Sequence, residues 1–175
     1  MATTVKEIVA AFEHLYHAIC DRTFSKSLYL DYWSEQELAP LVRTFLLGWF
    51  GRDWIDAEQW CELPGCKTQE GRIDFIVDGV AVELAVRHRL GSKSSLSASV
   101  NATEMKKLMK WSGKSLLVLF DFSKRPFGRD ELTNFRDWPS LGKGPHRKHA
   151  VNVAYFYRDG ASPAKDPITL NVRVS

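Results

Sequence analysis

The stretch GRIDFIVDGVAVELAVR, from Gly71 to Arg87, decides the fold. Asp78-Gly79 between two apolar runs is the strongest short-range signal for a β-hairpin with a two-residue turn. With those residues in the turn, Val77 faces Val80, Ile76 faces Ala81, Asp74 faces Glu83 and Arg72 faces Ala85. Ile73, Phe75, Val77, Val80, Val82, Leu84 and Val86 then form one apolar face. The other face carries two carboxylates side by side, which repel unless a positive group lies between them. A hard cation such as Mg2+, bound through carboxylate oxygens and keeping several waters, meets that need. The alternative is an ordinary hairpin whose polar face is solvated.

Outward from the hairpin, helical and strand periods alternate. Thr4 with Glu7 forms a capping-box pattern, and Val5, Ile8, Phe12, Leu15, Tyr16 and Ile19 recur at helical spacing to about Cys20. Ser34 with Glu37 proposes a second helix ending at Gly51, with Pro40 pushing its start toward Glu37. Ala57 to Glu62 reads as a strand, followed by a Pro64-Gly65 turn. The Ser-rich basic run after Arg87 is a loop. Asn101 and Glu104 cap a third helix bearing Met105, Leu108 and Met109, whose stripe is expected to cover the Ile73 to Val86 row. Leu116 to Phe120 is apolar throughout, as in a strand buried on both faces in parallel pairing. A short helix near Asp130 to Trp138 and strands at Val151 to Tyr157 and Ile168 to Val174 complete the chain.

The 175 residues suit one domain over 1–175, with 45% hydrophobic and 26% charged residues, values that exclude disordered and fibrous classes. No apolar run reaches the roughly 20 residues of a membrane helix. The N-terminus lacks a signal peptide's pattern, so a cytoplasmic protein without membrane contact is expected. Cys20, Cys61 and Cys66 are too few for a disulfide framework, and no second Cys or His pair completes a zinc site around Cys61 and Cys66. The net charge of +3 is mild but uneven, with bases concentrated from Lys124 to His149.

Helix, strand, strand with Asp74, strand with Glu83, helix, strand, over about residues 34–122, resembles the PD-(D/E)XK nuclease superfamily, carried by Gly71-Arg-Ile-Asp74 and Val82-Glu83-Leu84-Ala85-Val86. The resemblance implies an α/β, restriction-endonuclease-like αβββαβ core, a mixed sheet flanked by helices, here with an N-terminal helix and a C-terminal strand extension. It further implies a nuclease hydrolysing DNA phosphodiester bonds, with Asp74, Glu83 and the Leu84 carbonyl as ligands of Mg2+ or Mn2+. The superfamily's lysine falls on Ala85, which has neither charge nor donor. Hydrolysis needs a cation against developing negative charge, so three explanations stay open. Lys107 of the following helix, or else Arg72, supplies the charge, with Lys106 and Arg87 also in reach; the domain is a catalytically inactive DNA-binding or protein-interaction module; or Ala85 is an introduced substitution.

Phosphate contacts by Lys and Arg dominate nucleic-acid affinity. Arg87, Arg89 and Lys93, which follow the Glu83 strand, and Lys143, Arg147 and Lys148 of the later basic loop are the candidate DNA contacts. The sequence leaves the form of the nucleic acid and the oligomeric state, a homodimer included, undetermined.

Overall fold

The computed structural model describes residues 2–51, 55–61, 71–97, 100–133 and 150–172. The helices begin where their caps dictate. Thr4 opens α1 (Val5–Cys20) and Ser34 opens α3 (Glu35–Phe50), each through a complete capping box with Glu7 or Glu37. Pro40 therefore sits inside α3 instead of displacing its start, and Gly51 closes the helix at a φ of 92°. Between them lie a short α2 (Arg22–Ser25) and a 3-10 turn at Leu30–Tyr32, neither of which has an apolar period to announce it.

Strands β1 (Ile55–Cys61), β2 (Gly71–Val77) and β3 (Val80–Arg87) follow as an antiparallel meander. Asp78 and Gly79 turn the β2–β3 hairpin at φ values of 47° and 78°, both left-handed, as a type I′ turn requires. The rungs are Val77–Val80, Ile76–Ala81 and Phe75–Val82, matching the register expected from the sequence. The Trp111 indole N–H donates to the Gly79 carbonyl at 3.1 Å, tying the turn to the end of α4 (Ala102–Lys110). Asn101 precedes α4 but its side chain donates to the Ser97 carbonyl, so the expected capping box with Glu104 does not form. Within the loop expected after Arg87, a 3-10 turn at Lys93–Leu96 buries Leu96.

The crossover through α4 leads to β4 (Ser115–Asp121), parallel to β3 and fully buried. After α5 (Arg129–Thr133) come β5 (Val151–Phe156), parallel to β4, the small hairpin β6 (Arg158–Asp159) with β7 (Ser162–Pro163), and β8 (Ile168–Val172), antiparallel to β5. The result is α/β: a mixed six-stranded sheet in the order β1-β2-β3-β4-β5-β8 with helices on both faces. Among the described residues no helix is long and apolar enough to cross a membrane. The Pro64-Gly65 turn, Cys66, the chain from 134 to 149 and the end of the last expected strand lie outside the described residues.

The two faces differ from the expected arrangement. Phe75, Val77, Val80, Val82 and Leu84 pack against α1 and α3, not against the helix of Met105, Leu108 and Met109. Those three residues of α4 cover the opposite face, with Ala81, Ala85, Leu117 and Leu119. Ile73 belongs to this α4-side core although Phe75 and Val77 belong to the other, so the alternation breaks at Asp74, where the ladder to β3 ends.

Two variants test this architecture. A Cβ at Gly79 would meet nothing within 4 Å, so Gly79→Ala costs only the left-handed backbone, about 1–2 kcal/mol, read as a lower denaturant midpoint at unchanged slope. Leu84→Asp puts an unpaired charge where the side chain is 1% exposed, and cooperative melting should disappear.

Candidate active site

Beyond the Phe75–Val82 rung, β2 and β3 stop pairing as a regular ladder and Asp74 takes over the next donor. Its Oδ2 accepts the Leu84 backbone N–H at 2.8 Å, which fixes the carboxylate's orientation. The Glu83 and Asp74 carboxyls are close enough to shift each other's titration, although the regular ladder ends one rung before them. Glu83 is 1% exposed and Asp74 is partly buried.

Lys107 comes to this pair from α4. Its Nζ donates to the Arg72 backbone carbonyl at 2.8 Å and stands 2.7 Å from Glu83 Oε1. Lys107 is off the Met105, Leu108, Met109 stripe by helical spacing, which carries it to the gap where β2 and β3 stop pairing instead of into the core. Among the described residues, Lys107 is the polar partner of the buried Glu83 Oε1, held as a 2.7 Å ion pair. Arg72, the second candidate, is exposed and gives the site its carbonyl. Ala85 is 3% exposed in the α4-side core.

The charge balance is lopsided. Burial, then the neighbouring Asp74 carboxylate, pushes the Glu83 carboxyl up to about 9 against the pull of Lys107. Burial also raises Asp74, although the Leu84 N–H and Lys107 oppose the shift. Glu104, in the first turn of α4, adds a like charge to both.

A further acid went unnoticed in the sequence. Glu35, the first residue of α3, is raised to about 7 by desolvation, then by Asp74 and Glu104. By surface area Glu35 is exposed, because it opens onto a cleft, yet enough protein crowds its carboxyl to disfavour the charge; the direction of the shift follows from both facts. The available signal was the Ser34 capping box, which fixes the helix start and so the position of Glu35. Only the tertiary fold reveals what that position faces.

A divalent cation suits this donor set. Two neighbouring carboxyls and one ammonium among four acids leave a deficit of positive charge. Among the described residues no three His, Cys, Asp or Glu side chains form a ready-made cation cage, so any ion here would draw on two carboxyls, a carbonyl and water.

The expected DNA contacts are dispersed. Arg87 is no surface cation: it is 4% exposed, pairs with Asp121 at 3.1 Å and donates to the Gly91 and Arg125 carbonyls, because the end of β3 lies beside the end of β4. Tyr155 completes that buried cluster by donating to Asp121 Oδ2. Arg89 shares Asp31 with Arg158 and lies over the Tyr32 ring. Lys93 is exposed in a 2.6 Å pair with Glu131, a surface contact worth about 0–1 kcal/mol and easily exchanged. Lys143, Arg147 and Lys148 lie outside the described residues.

The acids make stability depend on pH. Glu83 holds its proton to about 9 in the folded chain against an ordinary value of 4.5, so the folded state binds more protons between those values. Stability therefore falls as pH rises through that window, by at most about 1.4 kcal/mol per pH unit for this group. Melting temperatures of the metal-free protein from pH 5 to 9 should show the fall, and Glu83→Gln should flatten it; a melting temperature that rises over this range would contradict the assignment.

No family model matches the chain, and no curated protein or solved structure matches it either.

Proposed function

We propose that this protein is a metal-dependent nuclease of the PD-(D/E)XK type that hydrolyses DNA phosphodiester bonds. The observation that carries the reading is Lys107 Nζ, 2.7 Å from Glu83 in a carboxyl pair that needs more positive charge than one ammonium supplies. The element order supports it: α3, β1, β2, β3, α4 and β4 follow the αβββαβ sequence of the restriction-endonuclease-like core, with the acids on its second and third strands. Lys107 stands on the helix after the Glu83 strand, where it can replace the charge missing at Ala85.

Asp74, Glu83 and the Leu84 carbonyl would hold Mg2+ or Mn2+. Such an ion polarises a phosphate and lowers the pKa of water. The chain's own groups do the rest. The Leu84 N–H orients Asp74, and the Arg72 carbonyl holds Lys107 beside the acids, where its remaining N–H can donate to a phosphoryl oxygen or to the attacking water. Glu35, which lines the same recess as Asp74 and whose carboxyl is raised to about 7, would accept a proton from that water.

Mn2+-dependent cleavage of a panel of DNA forms tests the reading. Asp74→Ala should abolish turnover, and Lys107→Ala should lower it by roughly two to three orders of magnitude with DNA binding nearly unchanged. Ala85→Lys in the Lys107→Ala background should restore part of it, because position 85 lies two residues from Glu83 on the same strand face. Mn2+ affinity should rise between pH 6 and 9, since the ion displaces the proton that Glu83 retains to about 9. A parent protein inactive on every form and with every metal would favour a silent binding module of the same fold.

A further inference from the structure

A cavity of about 680 Å³ opens between α3 and β2, and Glu35 and Asp74 line one end of it. Its size falls in the range of small-molecule sites. Asp74 and Glu35 therefore face a recess and not a flat surface. Ala39, Pro40 and Leu47 form its apolar helical side, and the almost fully buried Phe75 and Leu84 lie at its base.

Pro40, inside α3, sets its apolar ring where the helical N–H toward the Gln36 carbonyl would be. Gln36 also lines the cavity and adds a side-chain amide with both donors and an acceptor. Apolar surface for a ring, together with a side-chain amide for its edge, matches a nucleobase. Arg43, eight residues and roughly 12 Å along the helix from Glu35, gives the far rim a cation for a neighbouring phosphate.

We infer that the cavity between α3 and β2 is a nucleoside subsite that receives an unpaired base beside the scissile phosphate, so that the substrate class is DNA single-stranded or locally unpaired at the cut. The inference rests on the nuclease reading for the position of the scissile phosphate. A base stacked in a duplex cannot enter a recess walled by a helix and a sheet. Extruding it costs a few kcal/mol, and least where the nucleotide is already unpaired.

The experiment compares three labelled oligonucleotides: a single strand, a perfect duplex, and the duplex with one unpaired nucleotide. Cleavage is measured with Mn2+ and binding with Ca2+, for the parent, Ala39→Trp, which fills the recess, and Arg43→Glu, an exposed rim change that leaves the core untouched. The parent should cleave the single strand and the bulged duplex at least tenfold faster than the perfect duplex. Ala39→Trp should remove that preference and weaken binding of the unpaired forms at least tenfold, with melting temperature and Mn2+ affinity unchanged. Arg43→Glu should weaken the same binding severalfold and serves as the deciding variant if Ala39→Trp does not fold. Equal parent rates on all three forms, or a preference that survives both substitutions, would overturn the subsite. No cleavage of any form, with unpaired-strand binding still lost in Ala39→Trp, would remove the nuclease reading and leave the subsite standing. Absence of both cleavage and unpaired-strand binding would remove both.

Discussion

Two carboxyl groups buried against each other cannot both ionise near neutral pH unless positive charge stands between them. Asp74 and Glu83 are held in that condition by the hairpin that places them, and the rest of the site answers to it. Lys107 is drawn to 2.7 Å from Glu83, yet burial and Asp74 still hold the Glu83 carboxyl up to about 9. Glu35 and Glu104 add to the same imbalance. A cluster with this balance weakens the fold as pH rises, and a protein keeps such a cost most readily at a functional site.

The arrangement is possible because the sheet is covered twice. α1 and α3 seal one face through Phe75, Val77, Val80, Val82 and Leu84, and α4 seals the other through Met105, Leu108 and Met109. The end of the β2–β3 ladder at Phe75–Val82 frees Asp74 to take the Leu84 N–H. α4 then brings Lys107 to that gap from one side, while the start of α3 brings Glu35 from the other. The acids thus lie inside the sheet where β2 and β3 separate, between the two helical layers, beside the recess at Asp74.

Buried charge elsewhere in the sheet has a different character. Arg87 and Asp121 are paired at the ends of the parallel strands β3 and β4, and Tyr155 donates to the same carboxylate. That cluster is balanced and richly hydrogen-bonded, as buried ions must be if they are not to destabilise a fold. The contrast separates a structural ion pair from a site in which charge is left over.

Local chemistry was legible in the sequence wherever neighbouring residues settle the outcome. Asp78-Gly79 set the turn and the register, Thr4 with Glu7 and Ser34 with Glu37 set two helix starts, and the unbroken run from Leu116 to Phe120 marked a strand buried on both faces in parallel pairing. The register pointed to Asp74 and Glu83 as neighbours, but the ladder itself ends at Phe75–Val82, one rung before them. Tertiary structure alone decided which helix covers which face, because a period of two marks a face as buried without naming what buries it. It also decided that Glu35 faces Asp74, that Lys107 reaches Glu83, and that Arg87, a surface cation by its neighbours in the chain, lies in the core. Each of those outcomes depends on groups distant in sequence meeting in a medium of low dielectric, where charge is tolerated only by the partners the fold provides.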